Sequence, residues 1–219
     1  MSIPNWYWRD LKPLHYRTIL IDPPWKYETR SDAGQGRSAG RHYKTMTFDE
    51  LAALPVADLA MPDALVAIWV TDTHLVQGIE LMKAWGIEYS TIGFVWLKTN
   101  QKTDPERLNR VAEQLQLLEI EAAMETLFFM GMGHWTRANP EICLLGKFGD
   151  PSRLKSATNV RSIIVEPLRE HSRKPDAIYT RLRRLHPGPG ADLFGRLQGD
   201  DYWDVFGDQA GLFGERPHD

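Results

Sequence analysis

Four consecutive residues, Asp22-Pro23-Pro24-Trp25, set a carboxylate, two prolines and an indole directly after the apolar run Ile19-Leu20-Ile21. Two prolines cannot continue a central strand, so the strand ends at or near Asp22 and the following residues form a stiff, outward-facing turn at its C-terminal edge. In open α/β sheets that edge is where ligands bind. Such a turn suits chemistry on an exocyclic amino group, a poor nucleophile because its lone pair is delocalised into the ring. The Asp22 carboxylate and the Pro23 carbonyl can each accept one amine N–H and stabilise the positive charge that grows as the nitrogen attacks an electrophilic methyl group. Trp25 offers a face for an extruded base, and Pro23 and Pro24 hold the geometry with little entropy left to lose. The same four residues also read as a strand-terminating turn, with Asp22 as a cap and Trp25 as a core aromatic.

Positioning that turn requires a sheet. Short apolar runs predict strands at 18–21, 65–70, 92–97, 141–147, 162–165 and 191–194, and helical spacing predicts helices at 47–54, 74–85, 107–128 and 175–185. The alternation points to an α/β fold, a largely parallel sheet with helices on its faces. The last helix carries Pro175 in its first turn and Ile178, Leu182 and Leu185 on one face. With no internal repeat and no long linker, the 219 residues predict a single domain, 1–219. The stretch 31–40, with Gly34, Gly36 and Gly40, predicts a loop.

Lys and Arg number 26 against 29 Asp and Glu, a net charge of −3, which argues against a chain that coats duplex nucleic acid. The charge is segregated, however. Lys26 to Lys44 holds five basic and two acidic residues, Arg169 to Arg184 six and two, and Val111 to Met130 four Glu with no Lys or Arg. No apolar run approaches the roughly 20 residues that span a bilayer, and the first ten residues lack a signal-peptide pattern, so a soluble, cytoplasmic protein with no membrane contact is expected. Cys143, inside Ile142-Cys143-Leu144-Leu145, reads as a buried thiol in a reducing compartment. The seven histidines show no ligand spacing, and no metal site is expected.

Nine strings in one order resemble the MTA-seventy family of S-adenosylmethionine-dependent adenine-N6 methyltransferases. They are Asp22-Pro23-Pro24-Trp25, Tyr43-Lys44-Thr45-Met46, Ile68-Trp69-Val70-Thr71, Val95-Trp96-Leu97-Lys98-Thr99-Asn100, Gly133-His134-Trp135, Glu141-Ile142-Cys143-Leu144-Leu145-Gly146, His171-Ser172-Arg173-Lys174-Pro175-Asp176, Leu193-Phe194-Gly195-Arg196 and Gly207-Asp208-Gln209. The resemblance implies a Rossmann-like fold in a circularly permuted motif order, S-adenosylmethionine as cofactor, and transfer of a methyl group to N6 of adenine in nucleic acid, DNA before RNA. A catalytically silent nucleic-acid-binding or scaffold subunit is the alternative. Asp22, Pro23, Pro24 and Trp25 inherit the catalytic role. Asp22, Lys174, Arg196, Asp208 and Gln209 inherit the cofactor, with Lys174 on the methionine carboxylate, Arg196 near the ribose and Asp208 and Gln209 on its hydroxyls. Trp25, Arg41, Tyr43, Lys44, Lys98 and Asn100 are the expected substrate-binding residues, and the loop carrying Arg41 to Lys44 is the expected lid. The segment 101–132 corresponds to a loop through which eukaryotic family members pair. Here it reads equally as an interaction element for a homodimer or partner subunit and as a helix packed on its own domain.

Overall fold

The computed structural model describes residues 6–26, 45–100, 105–133 and 135–216. In chain order they form β1 (Tyr16–Ile21), α1 (Phe48–Ala52), β2 (Ala60–Val70), α2 (Leu75–Ala84), β3 (Glu88–Thr99), α3 (Pro105–Gln116), α4 (Ile120–Leu127), β4 (Glu141–Lys147), β5 (Ile163–Pro167), α5 (Ala177–Leu185), β6 (Gly190–Leu193) and β7 (Trp203–Phe206). The strands make one sheet in the order β5-β3-β4-β2-β1-β6-β7. β1 lies parallel to β2 and β6, β6 to β7 and β3 to β5, whereas β4 runs antiparallel to both its neighbours. The carboxyl ends of six strands and the amino end of β4 therefore share one edge. The expected α/β arrangement, mostly parallel and Rossmann-like, is the one that forms.

The near-continuous apolar run of β1 is explained by burial on both faces. Ile19 and Ile21 pack with Leu51 of α1 and Leu81 and Met82 of α2. Leu20 points the other way, into Trp69, Trp203 and the Ile178 and Leu182 face of α5. Alternation along an extended strand thus serves two cores, one beneath each helical layer. α2 approaches β2 closely at Gly78, where a Cβ would overlap Val70. Among the described residues no helix is long and apolar enough to cross a membrane.

Three local outcomes differ from the sequence reading. β7 was not anticipated, because Trp203-Asp204-Val205-Phe206 is only four residues long and follows the polar run Gly199-Asp200-Asp201. The helix expected at 107–128 is two helices, broken where Leu118 turns left-handed at φ 59°. The Leu118 amide donates to the Leu115 carbonyl at 3.2 Å and the Glu119 amide to the Gln114 carbonyl at 2.8 Å, a Schellman closure without the glycine that usually announces it. Leu118 is 80% exposed, so Leu118→Gly removes backbone strain and little packing. Thermal unfolding is expected to show a gain of about 0.5–1 kcal/mol.

The third difference concerns the basic segment 169–184. Arg169 pairs with Glu166 and Asp176, Arg173 with Glu170 and Asp176, and Arg183 with Asp200 and Asp201. These cations knit the fold through ion pairs. The Glu166 carboxylate also accepts from the amides of Asp176 (3.0 Å) and Ala177 (2.9 Å), which caps α5 and moves its start two residues past Pro175.

Candidate active site

β1 ends where the Asp22 amide donates to the Leu193 carbonyl of β6 at 3.2 Å, and the turn that follows is pinned from two sides. The Trp25 amide donates to the Pro23 carbonyl at 2.8 Å, and the Met46 amide to the Pro24 carbonyl at 2.8 Å. One lone pair of the Pro23 carbonyl is thereby committed to the turn and the second remains, since a carbonyl oxygen accepts twice.

The Asp22 carboxylate meets the Lys174 ammonium at 2.9 Å. Lys174 also reaches Glu141 at 3.3 Å, and Glu141 pairs with Lys98 at 2.7 Å. The four side chains form a row of alternating charge along the sheet edge, brought there by β1, the turn before α5, the amino end of β4 and the end of β3. Burial pushes the Asp22 carboxyl above its ordinary range, and the Lys174 charge only partly offsets this. Burial acts on Glu141 in the same direction, but the Lys174 and Lys98 ammoniums outweigh it and hold that carboxyl below the usual range.

Asp22 borders a pocket of about 20 Å³ that Lys174 and Arg196 also line, and two further spaces. On one side is a cleft of about 360 Å³ whose wall includes Tyr7, Arg9, Glu50, Arg196, Phe206 and Asp208, with Gln209 beside them. That volume lies within the range that takes a nucleoside-sized ligand. Tyr7 and Phe206 lie 5.8 Å apart between ring centroids, the Arg9 guanidinium stands 5.6 Å over the Phe206 ring, and Asp208 faces Arg9 at 3.7 Å. Glu50 belongs to the capping box that starts α1, its carboxylate accepting from the Thr47 amide at 2.7 Å. On the other side is a smaller recess of about 40 Å³, lined by Asp22, Trp25, Thr71, Glu141, Ser172 and Lys174.

Not every expected residue enters these spaces in the expected way. Trp25 is 6% exposed, and its ring stacks on His74 with centroids 4.8 Å apart and planes 21° from parallel. His74 is itself placed by the hydroxyl of Thr71, 2.8 Å from its Nδ1. One face of the indole is thus covered by an imidazole, and Trp25 lines the recess. Asn100 stays out of the site. Its side-chain amide donates to the carbonyls of Leu127 and Phe128, fastening the end of α4 to β3. Lys98 reaches the recess only through Glu141. Arg41, Tyr43 and Lys44 lie outside the described residues.

Several site residues were not singled out from the sequence. Tyr7 and Arg9 precede β1 in a stretch with no recognisable motif, and Phe206 was passed over although it immediately precedes Gly207-Asp208-Gln209. Glu141 carried a usable signal, as a charged residue at the head of the apolar run Ile142-Cys143-Leu144-Leu145.

The MT-A70 family model matches residues 16–112 and 107–209. The chain belongs to the MT-A70 family. This is the MTA-seventy family named above, and the matched segments contain Asp22, Glu141, Lys174, Arg196, Asp208 and Gln209 but not Tyr7 or Arg9. The chain is similar to an N(6)-adenosine-methyltransferase MT-A70-like protein of Drosophila melanogaster, 31% identical over 200 residues that cover 88% of this chain and 27% of the relative. It is 28% identical to the human N(6)-adenosine-methyltransferase catalytic subunit METTL3 over the same share of its own length and 29% of that protein. A third relative, the type II methyltransferase M.MunI of Mycoplasma sp, is 26% identical over 206 residues, 86% of this chain and 76% of the relative. The chain therefore spans less than a third of the first two relatives and about three quarters of the third.

Proposed function

We propose that this MT-A70 protein transfers a methyl group from S-adenosylmethionine to the N6 amino group of adenine in nucleic acid. The observation that carries this reading is the position of Asp22 between a nucleoside-sized cleft and a second, smaller recess. A carboxylate there can hold an amine on one side against an electrophile bound on the other. The cleft suits an adenosyl group by its donor set: acceptors at Asp208 and Glu50 for ribose hydroxyls, aromatic rings at Tyr7 and Phe206 for a purine, and Arg196 beside Asp22. When bound, S-adenosylmethionine supplies a methyl group made electrophilic by its sulfonium sulfur.

The chain's own residues orient the nucleophile. Asp22 accepts one N–H of the target amine and the second lone pair of the Pro23 carbonyl accepts the other, which turns the nitrogen lone pair towards the cleft. Positive charge gathering on that nitrogen is stabilised by the Asp22 carboxylate. Lys174 and Glu141 fix the carboxylate's orientation, and the N–H proton passes to water after transfer, when the nitrogen has become far more acidic. No covalent bond to the protein is needed.

DNA is the favoured polymer. The chain matches most of a type II methyltransferase, whereas it covers under a third of the N(6)-adenosine-methyltransferases. The test is methyl transfer from labelled cofactor to single- and double-stranded DNA and RNA of matched sequence, followed by nucleoside analysis. Label in N6-methyldeoxyadenosine is the expected product. Label confined to another base, or none on any substrate, overturns the reading.

A further inference from the structure

The described chain ends in a segment that no part of the proposed chemistry uses. Residues 210–216 fold back over the turn at 195–198, where the Phe213 amide donates to the Arg196 carbonyl at 3.1 Å and the Gln198 amide to the Gly214 carbonyl at 2.8 Å. Arg216 latches the segment. Its Nη2 donates to Asp192 at 2.8 Å, its Nε donates to the Gln198 carbonyl at 2.9 Å, and its guanidinium lies 4.2 Å from the Tyr179 ring centroid and 5.5 Å from that of Trp203. Arg216 is only 4% exposed. Such a buried, charge-paired anchor holds the segment in one place.

That placement puts the Phe213 ring between two site loops. The Arg173 guanidinium stands 5.3 Å from its centroid and the Arg196 guanidinium 5.8 Å. Arg173 adjoins Lys174, and Arg196 lines the cleft beside Asp22. The two loops also touch directly, the Arg196 guanidinium donating to the His171 carbonyl at 2.7 Å. Phe213 thus adds an aromatic wedge to that hydrogen bond. Together they fix how far Arg196 stands from Lys174.

We infer that Phe213, held by the Arg216 latch, is a positioning residue that sets the spacing of the two cationic loops around the adenosylmethionine-type ligand. The inference rests on the proposed function, because that ligand is the one the cleft is read to take. A ring between two guanidinium groups orders both, since each cation is attracted to a ring face and long side chains otherwise sample many rotamers. Preordering the loops lowers the entropic cost of closing them on a ligand. The effect belongs to cofactor affinity and not to capture of the nucleic acid.

The experiment is calorimetric titration of the full chain with S-adenosylhomocysteine, alongside steady-state kinetics and thermal unfolding of Phe213→Ala, Phe213→Leu and Phe213→Tyr. Phe213→Ala and Phe213→Leu are expected to weaken S-adenosylhomocysteine about tenfold and to raise KM for the cofactor, with KM for the oligonucleotide within about twofold. Phe213→Tyr, which keeps the ring, restores affinity. Leu212→Ala, at an exposed neighbour, leaves it unchanged. Equal affinity of Phe213→Ala and wild type overturns the inference, as does full rescue by Phe213→Leu, which would make Phe213 mere filling. Wild-type protein that does not bind S-adenosylhomocysteine removes the proposed function and this inference together, whereas wild-type binding with an indifferent Phe213→Ala removes this inference alone.

Discussion

Asp22→Ala is expected to lower methyl transfer about 100- to 1,000-fold while leaving S-adenosylhomocysteine affinity within a few-fold of wild type. The asymmetry follows from the site. Asp22 stands between the cleft and the recess, whereas the cleft's nucleoside-sized wall is built mainly by Tyr7, Glu50, Arg196, Phe206 and Asp208. Asp22→Asn keeps the shape and loses the charge, so it should lose nearly as much rate, because an amide cannot stabilise a developing cation as a carboxylate does. The pH profile carries the same information. Burial raises the Asp22 pKa, so the carboxylate needed for catalysis disappears as pH falls through a value above that of an ordinary aspartate. The acid limb of the wild-type rate is expected at that raised pKa and absent from the residual rate of Asp22→Asn. Stability runs the other way. A carboxyl whose folded pKa is raised opposes folding above that pKa and ceases to as it protonates, so Asp22→Asn should unfold no lower than wild type at pH 8. Undiminished turnover by Asp22→Ala on an adenine oligonucleotide would make the turn a structural cap and the chain's chemistry something else.

Lys174→Met has the second large effect, on both folding and activity. Lys174 is 11% exposed and shared by Asp22 and Glu141, which are 21% and 16% exposed. Its removal leaves two enclosed carboxylates, Glu141 with Lys98 at 2.7 Å and Asp22 with the Arg196 charge to offset its burial. Breaking a buried pair from one side costs about 3–5 kcal/mol. Asp22, already raised by burial, loses the ammonium that partly offsets it, so its share of the deficit is fully present at pH 8 and shrinks as pH falls through that raised value. Urea unfolding at pH 8 and pH 5 checks this. Adding Glu141→Gln should recover part of the loss, because the second uncompensated charge disappears. A Lys174→Met protein with wild-type stability at pH 8 would mean that the ammonium is replaced there by solvent.

Much of the fold was legible because its signals are contiguous. The apolar run of β1 ends at a proline pair, β4 coincides residue for residue with its expected span, and α5 shows its buried face at Ile178 and Leu182. The break at Leu118 was not legible, since a left-handed leucine leaves no compositional mark. For the candidate site, Asp22 and Lys174 lie in compact strings and were singled out, while Glu141 was not. A glutamate that opens a strand gains meaning only when that strand is reversed, so that its amino end joins the edge formed by the carboxyl ends of the others. Tyr7 and Phe206 come from opposite ends of the chain, and only the assembled fold brings them together. Asn100 misled for a related reason. A polar residue at the end of a strand on the ligand edge looks like a contact, yet its amide is spent on two backbone carbonyls beside α4.

The row Asp22, Lys174, Glu141 and Lys98 alternates in sign and sums to no formal charge, with side-chain exposures between 11% and 21%. Dissolved ions screen exposed charges over about 8–10 Å but cannot interpose themselves between enclosed partners 2.7–3.3 Å apart. In the proposed reaction, ionic strength would therefore act on the exposed cations that meet phosphate and leave the enclosed Asp22–Lys174 pair untouched. Salt becomes a dial on substrate capture, set apart from the chemical step.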